Sequence, residues 1–154
     1  MTPRRRVLAA ATAAVAALGL TGCEKPLPIV TVQSSTTVEV AEARSWCFGE
    51  APGVQCVQGD QAATELEASP GQIVSVDVSK EVADRGWVLR QEVAGSPQQS
   101  GAYEPRDDHY FTITMPPVPV QLTVTALDGK KKADGTYDTT QETGSWVFVV
   151  KPKA

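Results

Sequence analysis

The side chains of this sequence that could do chemistry are three cysteines, one histidine and one pair of adjacent aspartates. They are Cys23, Cys47, Cys56, His109, Asp107 and Asp108. Thiolates can attack carbonyl groups, bind metals or pair as disulfides. Two carboxylates can hydrolyse a glycosidic bond if they face each other at roughly 5–10 Å. The spacing and surroundings of these residues decide which chemistry the chain favours.

Acid–base and nucleophilic catalysis are weakly supported. A catalytic triad needs a nucleophile, a base and an orienting group in contact, and the chain has a single histidine and no Gly-x-Ser-x-Gly elbow. Ser79 and Lys80 are adjacent, which does not place the amine over the hydroxyl as a Ser-x-x-Lys motif does. Asp107 and Asp108 lie in a polar segment that is typical of a solvated loop. We therefore predict no catalytic residues, with carboxylate-based hydrolysis of a cell-wall polymer as the alternative.

A metal site is also weakly supported. Copper sites on β folds combine His, Cys and Met ligands, and here His109 and Met115 are six residues apart. That is roughly 20 Å along an ideal strand, so the two side chains cannot share an ion. Asp128, Asp134 and Asp138 lack the spacing of a calcium-binding loop. We expect no metal and no cofactor, and a small-molecule or metal carrier is kept as an alternative.

Cys23 follows a secretory signal. Arginines at positions 4–6 precede an uncharged apolar run over residues 7–20, which is the pattern of a signal peptide. The stretch Leu20-Thr21-Gly22-Cys23 resembles the bacterial lipobox. The resemblance implies that the Cys23 thiol receives a diacylglyceryl group and that cleavage makes Cys23 the new N-terminus. An ordinary signal peptide is the alternative, and because the arginines also fit a loose twin-arginine pattern, the export route stays open.

The composition of the mature chain argues against nucleic-acid binding. Removal of residues 1–22 leaves 132 of 154 residues, enough for one domain, and lowers the formal net charge from −4 to −7 because three arginines are lost. Phosphate binding requires clustered Lys and Arg. The single basic run, Lys130-Lys131-Lys132, lies between Asp-Gly turns and is expected to be a solvated hairpin loop. We expect membrane attachment through Cys23, an envelope protein or cell-wall partner, and no nucleic acid.

The other two cysteines, Cys47 and Cys56, form an even pair in a compartment that permits disulfides. Chain entropy predicts that closing their ten-residue loop contributes about 2.5–3 kcal/mol of stability. We predict a local disulfide, with free thiols or a metal site as alternatives. Trp46 lies beside this disulfide, where it would either pack on it or be exposed. Trp87 and Trp146 lie at inward strand positions and are predicted to be core residues.

The elements that must position these side chains are β-strands. From Ile29 onward, Val and Thr alternate with polar residues between Gly and Pro interruptions, a period of two that predicts short strands. Strands are predicted at 29–33, 36–41, 72–78, 87–93, 109–115, 121–127 and 145–150. Residues 64–68 are ambiguous between strand and helix, and Ser79 can cap one helical turn that Gly86 ends. Seven or eight strands predict an all-β, immunoglobulin-like β-sandwich, with a small β-barrel as the alternative.

The predicted organisation is a lipoprotein signal peptide over residues 1–22, a membrane tether over 23–28 and one β-sandwich domain over 29–154. The two prolines of the tether stiffen it, and its reach of roughly 20 Å would hold the domain close to the membrane. Loops on a rigid sandwich usually carry recognition. The candidate binding surface is therefore formed by the 47–56 and 98–108 loops, with the side chains Trp46, Tyr103, Asp107, Asp108 and His109.

Several motifs together resemble one protein family. They are the CEKPLP segment at 23–28 with the following Val-Thr-Val, the Cys47 and Cys56 pair, EVADRGW at 81–87, and Trp146-Val147-Phe148. This combination is similar to an uncharacterised family of small actinobacterial lipoproteins built on a domain of unknown function. The resemblance covers most of the mature chain and implies an envelope location and a single domain. It implies no activity, substrate or catalytic residue.

Overall fold

Two packed β-sheets make up the domain in the computed structural model, which describes residues 25–49 and 55–153. The predicted signal peptide, Cys23 and residues 50–54 lie outside the described residues. The described ranges contain one α-helix, α1 (Lys80–Arg85), one short 3₁₀ helix (Pro97–Gln99) and eleven strands. The strands are β1 (Ile29–Gln33), β2 (Val38–Glu42), β3 (Ser45–Phe48), β4 (Gln55–Gln58), β5 (Thr64–Ala68), β6 (Ile73–Val78), β7 (Trp87–Val93), β8 (Gly101–Ala102), β9 (Tyr110–Thr114), β10 (Val120–Leu127) and β11 (Glu142–Pro152).

The first sheet has four strands in the order β2-β1-β6-β9, and the second has seven strands. The order of the second sheet is β4-β3-β11-β10-β7-β8, and β5 also pairs with β11. All described pairs are antiparallel except β5 and β11, which run parallel. The first residues of β11 pair with β3 and its last residues pair with β5. The sheets do not close on each other, so the prediction of an all-β sandwich is confirmed and the barrel alternative is wrong.

The core lies between the two sheets and follows from the period of two in the strands. The first sheet contributes buried valines at alternate positions, Val30 and Val32 in β1 and Val74, Val76 and Val78 in β6. The second sheet contributes larger side chains, which are Trp46, Leu89, Leu122, Val124, Trp146 and Phe148. Full burial of one such side chain stabilises the folded state by about 1.5–3 kcal/mol. The predicted core positions of Trp87 and Trp146 are confirmed, since both are fully buried.

Several elements differ from the sequence prediction, which expected seven or eight strands. The pair β3 and β4 was not predicted, because Trp46 is its single buried residue and the others do not alternate between buried and exposed. The ambiguous segment 64–68 is the strand β5, in which the buried Leu66 and Ala68 alternate with the exposed Glu65 and Glu67. The helical turn is confirmed as α1, and Gly86 follows it at φ 77°. Ser79 occupies the N-cap position, but its hydroxyl makes no capping hydrogen bond.

The outer face of the first sheet carries all the exposed large hydrophobic side chains of the described residues. These are Ile29, Val38, Val40, Ile73 and Tyr110. The strand register sets Val40, Thr31, Asp77 and Tyr110 side by side in one row across the sheet. Polar residues therefore separate the apolar ones, and the face is not a continuous apolar patch of the kind that marks an interface. No helix in the described ranges is long and apolar enough to cross a membrane.

Candidate functional site

Three segments meet at one end of the sandwich, which we call the α1 end: the helix α1, the β3–β4 hairpin and the connection over residues 128–141. The Arg85 side chain links the helix to the hairpin, because its Nη1 donates a hydrogen bond to the carbonyl oxygen of Cys47 at 3.0 Å. The backbone N–H of Leu127 donates to the carbonyl oxygen of Gly86 at 2.9 Å and so links the helix to β10. These two bonds hold the helix against the β3–β4 hairpin and against the end of β10.

A cavity of about 700 Å³ opens at the α1 end. Its wall includes Cys47, Cys56, Arg85, Lys130, Gln141 and Glu142. Cations and carboxylates both line it, and some are already paired: Lys130 lies 3.0 Å from Asp128 and Lys80 lies 2.6 Å from Asp84. The cavity wall therefore contains cationic hydrogen-bond donors and anionic hydrogen-bond acceptors. Such a wall suits a polar ligand more than an apolar one.

The predicted disulfide between Cys47 and Cys56 is confirmed. The two residues lie opposite each other in the register of β3 and β4. Cys47 is half-buried and Cys56 is exposed, so the bridge forms part of the cavity wall. Neither sulfur is then a free thiolate. In residues 25–49 and 55–153, no group of three or more His, Cys, Asp or Glu side chains could hold a metal ion.

Trp46 does not belong to the accessible surface, and its place in the candidate binding surface is corrected. Its side chain is fully buried, with its ring 5.8 Å from that of Trp146 and the Arg85 guanidinium 4.4 Å from its ring centre. The ring fits because its partner on β11 is Gly144, where an added Cβ would lie 2.5 Å from the indole. The signal that sequence reasoning missed is this glycine inside a strand, which marks a close approach by another side chain.

Asp107 joins two loops at the α1 end. Its carboxylate accepts hydrogen bonds from Nζ of Lys131 at 3.2 Å and from the hydroxyl of Tyr137 at 3.1 Å. These hydrogen bonds, from Lys131 first, lower the pKa of Asp107. The bond to Asp107 raises the pKa of Lys131, and burial is the main cause that raises the pKa of Tyr137. The three side chains therefore form a clip between the 101–109 segment and the 128–141 connection.

Tyr103 lies in an aromatic cluster rather than free on a loop. Its ring centre is 4.7 Å from that of Phe111, and its hydroxyl donates to Oε1 of Gln91 at 2.9 Å. The Arg106 guanidinium lies 3.9 Å from the Phe111 ring centre, on which it stacks. Burial raises the pKa of Tyr103. The phenol also lines a second cavity of about 200 Å³, whose wall includes Thr125.

The backbone carbonyl groups of Asp108 and His109 accept hydrogen bonds within the fold, and their side chains are exposed. The carbonyl oxygen of Asp108 accepts a hydrogen bond from Nε1 of Trp87 at 2.8 Å, and that of His109 accepts one from the Val78 N–H at 2.8 Å. The Asp108 carboxylate lies 3.5 Å from Nη1 of Arg106. Asp107 and Asp108 therefore pair with different cations, although they are adjacent in the sequence.

Residues 25–28, which were predicted to be tether, lie against the domain. Nζ of Lys25 is 2.8 Å from a Glu81 carboxylate oxygen and 5.6 Å from the Phe48 ring centre. Leu27 packs against the core, and Pro28 is buried. The Pro28 carbonyl oxygen accepts a hydrogen bond from Nε1 of Trp146 at 3.1 Å. Sequence reasoning missed these contacts because their partners lie far along the chain.

Comparison with known proteins does not assign a function to this site. The chain matches no protein-family model, no curated protein and no solved structure. The resemblance to small actinobacterial lipoproteins therefore stays a prediction from the sequence motifs, and the site is interpreted from its own residues.

Proposed function

We propose that this chain is a lipid-anchored extracytoplasmic protein that binds a polar partner of the cell envelope without catalysing a reaction. We further propose that the cavity at the α1 end is its binding site. The observation that carries this proposal is the convergence of donors and acceptors of both charges on one cavity of about 700 Å³. The predicted signal peptide, the stretch at Cys23 that resembles a lipobox and the disulfide all suit an oxidising compartment outside the cytoplasm.

Two parts of the cavity wall, the β3–β4 hairpin and the Arg85 side chain, are held in place by contacts within the domain. The disulfide joins the two strands of the hairpin, and Arg85 is held by the Cys47 carbonyl and the Trp46 ring. A binding group whose rotamer is already fixed loses little conformational entropy when it binds. Preorganisation of this kind favours a dedicated binding site over an incidental surface groove.

The carboxylates support binding more than hydrolysis. A glycosidase needs one carboxyl group with a raised pKa to act as general acid. The pKa of Asp107 is instead lowered by hydrogen bonds from Lys131 and Tyr137. Such a group stays ionised and is a poor proton donor near neutral pH.

The anchor is tested by fractionation of cells that express the wild type or Cys23→Ala. We expect the wild type in the membrane fraction with an acylated N-terminus by mass spectrometry, and the variant in the soluble fraction. Equal distribution of the two forms would contradict the anchor, whatever the cavity does.

The binding site is tested by photo-crosslinking in intact membranes. A photoreactive residue replaces Gln141, which is exposed on the cavity wall, or Gln121, which is exposed on the outer face of β10 as a matched control. We expect a reproducible adduct from position 141 and none from 121. The variant Asp108→Asn, which leaves the Asp107 clip intact, should keep that adduct. Release of soluble fragments from purified cell wall by wild type, but not by Asp108→Asn, would favour the hydrolase alternative.

A further inference from the structure

We propose that the α1 end of the domain rests on the lipid headgroup layer, so that the cavity opens toward the membrane. The inference rests on the proposed anchor at Cys23 and adds the orientation of the domain above the bilayer. It places the binding site at the membrane surface instead of at the far end of the sandwich.

Only a short stretch of chain separates the proposed anchor from the fold. Lys25 pairs with Glu81 and lies over the Phe48 ring, so contacts with the domain are present two residues after Cys23 in the sequence. Two peptide units span at most about 7 Å between the Cα atoms of residues 23 and 25. The domain therefore has much less freedom than a tether of six residues would give it.

The path of residues 25–28 sets which part of the domain lies nearest to the proposed anchor. They run from the start of β1 in the first sheet toward Phe48 of β3 in the second sheet, with Pro28 bonded to Trp146 on the way. The chain thus crosses the end of the sandwich and does not run along either outer face. Acyl chains on Cys23 would enter the bilayer beneath this end.

The alternative orientation is side-on, with the outer face of the first sheet on the membrane. That face carries the exposed hydrophobic side chains, but Asp77 and Thr31 lie in its centre. Inserting the face would remove water from a carboxylate without supplying a partner of opposite charge. The end-on orientation leaves this face hydrated.

The charges of the α1 end define the kind of contact. Four lysines there, Lys25, Lys80, Lys130 and Lys131, are each paired with a carboxylate, and Lys132 is exposed. Salt-bridged cations of this kind attract anionic lipids less than an unpaired basic cluster does. The contact is therefore polar and is held by the acyl anchor, so it should change little when anionic lipid replaces neutral lipid.

The test uses the full lipidated protein in phosphatidylcholine vesicles with a quencher on the lipid headgroup. A fluorescent amino acid replaces Gln141 at the cavity, Ser35 in the turn at the opposite end, or Thr112 on the outer face of the first sheet; all three are exposed. The two ends are separated by strands of five or six residues, about 20 Å, so we expect at least about twofold more quenching at position 141 than at 35 or 112.

A longer tether is the matched control. Eight Gly-Ser residues inserted between Glu24 and Lys25 add about 15 Å of flexible reach and should equalise the three positions without releasing the protein from vesicles. Equal quenching in the uninserted protein, or the strongest quenching at position 112, would overturn the orientation alone. A Cys23 that carries no acyl chains by mass spectrometry would overturn the anchor and the orientation together.

Discussion

The indole nitrogen of Trp146 donates a hydrogen bond to the carbonyl oxygen of Pro28 at 3.1 Å, across 118 residues of sequence. Trp146 lies on β11, the last strand, and Pro28 immediately precedes β1. Both residues are buried, so water cannot replace either partner. The segment that follows the predicted lipid anchor is therefore attached to the centre of the domain.

Trp146→Phe should remove this bond and leave the Pro28 carbonyl buried without a partner. Trp46→Phe is the matched control, because Trp46 is also fully buried but its Nε1 has no hydrogen-bond partner among the described residues. Both variants lose similar ring volume. We expect Trp146→Phe to lower the free energy of unfolding by about 1–3 kcal/mol more than Trp46→Phe does. Urea denaturation in the soluble Cys23→Ala background measures the difference, and equal losses would show that the bond is not stabilising.

Gly86→Ala should destabilise the α1 end for two separate reasons. Gly86 has φ 77°, and an added Cβ would lie 2.5 Å from the Tyr137 ring. Gly95 also has a positive φ, 70°, but an added Cβ there meets nothing within 4 Å. We expect about 1 kcal/mol of lost stability from Gly95→Ala and at least about 2 kcal/mol from Gly86→Ala. A thermal or urea unfolding series measures both, and a similar cost at the two positions would show that Tyr137 moves aside freely.

The strands that the sequence predicts well are those whose pattern depends on the strand alone. In β1 and β6, every second residue is a buried valine, so the period of two is visible without any knowledge of the partner strands. The helix α1 is bounded by Gly86, whose positive φ few other residues adopt. The disulfide follows from the count and compartment of the cysteines. These features required no long-range information.

The features that the sequence could not predict depend on residues far apart in the chain. Trp46 is buried because Gly144, 98 positions later, leaves room for its ring. Asp107 belongs to a clip because Lys131 and Tyr137 come to it from another loop. The short strand β8 has two exposed residues and therefore no burial pattern. Local patterning contains no information about such pairs.

Lys131→Met should raise the pKa of Asp107 toward the ordinary aspartate value of about 3.9. The reason is that the hydrogen bond from Lys131 is the largest cause that lowers the pKa of Asp107. Asp134 is the internal control, since hydrogen bonds from Thr136 lower its pKa and Lys131 is not among the causes. Carbon-13 NMR titration of the side-chain carboxyl groups measures the pKa values of Asp107 and Asp134 in one sample. A shift of both, or of neither, would contradict the clip as described.

The clip also predicts a dependence of stability on pH with a definite sign. The folded pKa of Asp107 is lowered, so its contribution is present above the unfolded value of about 3.9 and is lost as pH falls through the folded pKa. The folded pKa of Lys131 is raised, so its contribution is present below the unfolded value of about 10.4 and is lost as pH rises through the folded pKa. In Asp107→Asn, the free energy of unfolding should therefore fall less at both acid and alkaline pH than it does in the wild type. Denaturant unfolding over the pH range measures this difference. An unchanged profile would show that the clip does not contribute.

Replacement of the disulfide should weaken both the fold and the cavity. The double variant Cys47→Ala, Cys56→Ala opens a ten-residue loop, which should lower the free energy of unfolding by about 2.5–3 kcal/mol. Reductant should lower the stability of the Cys23→Ala protein to a similar value and leave the variant unchanged. Because the bridge lines the cavity, the adduct formed from position 141 should decrease in the variant while the fold persists. An adduct of undiminished yield would indicate that the β3–β4 hairpin keeps its place without the bridge and that the disulfide stabilises the domain without shaping its binding site.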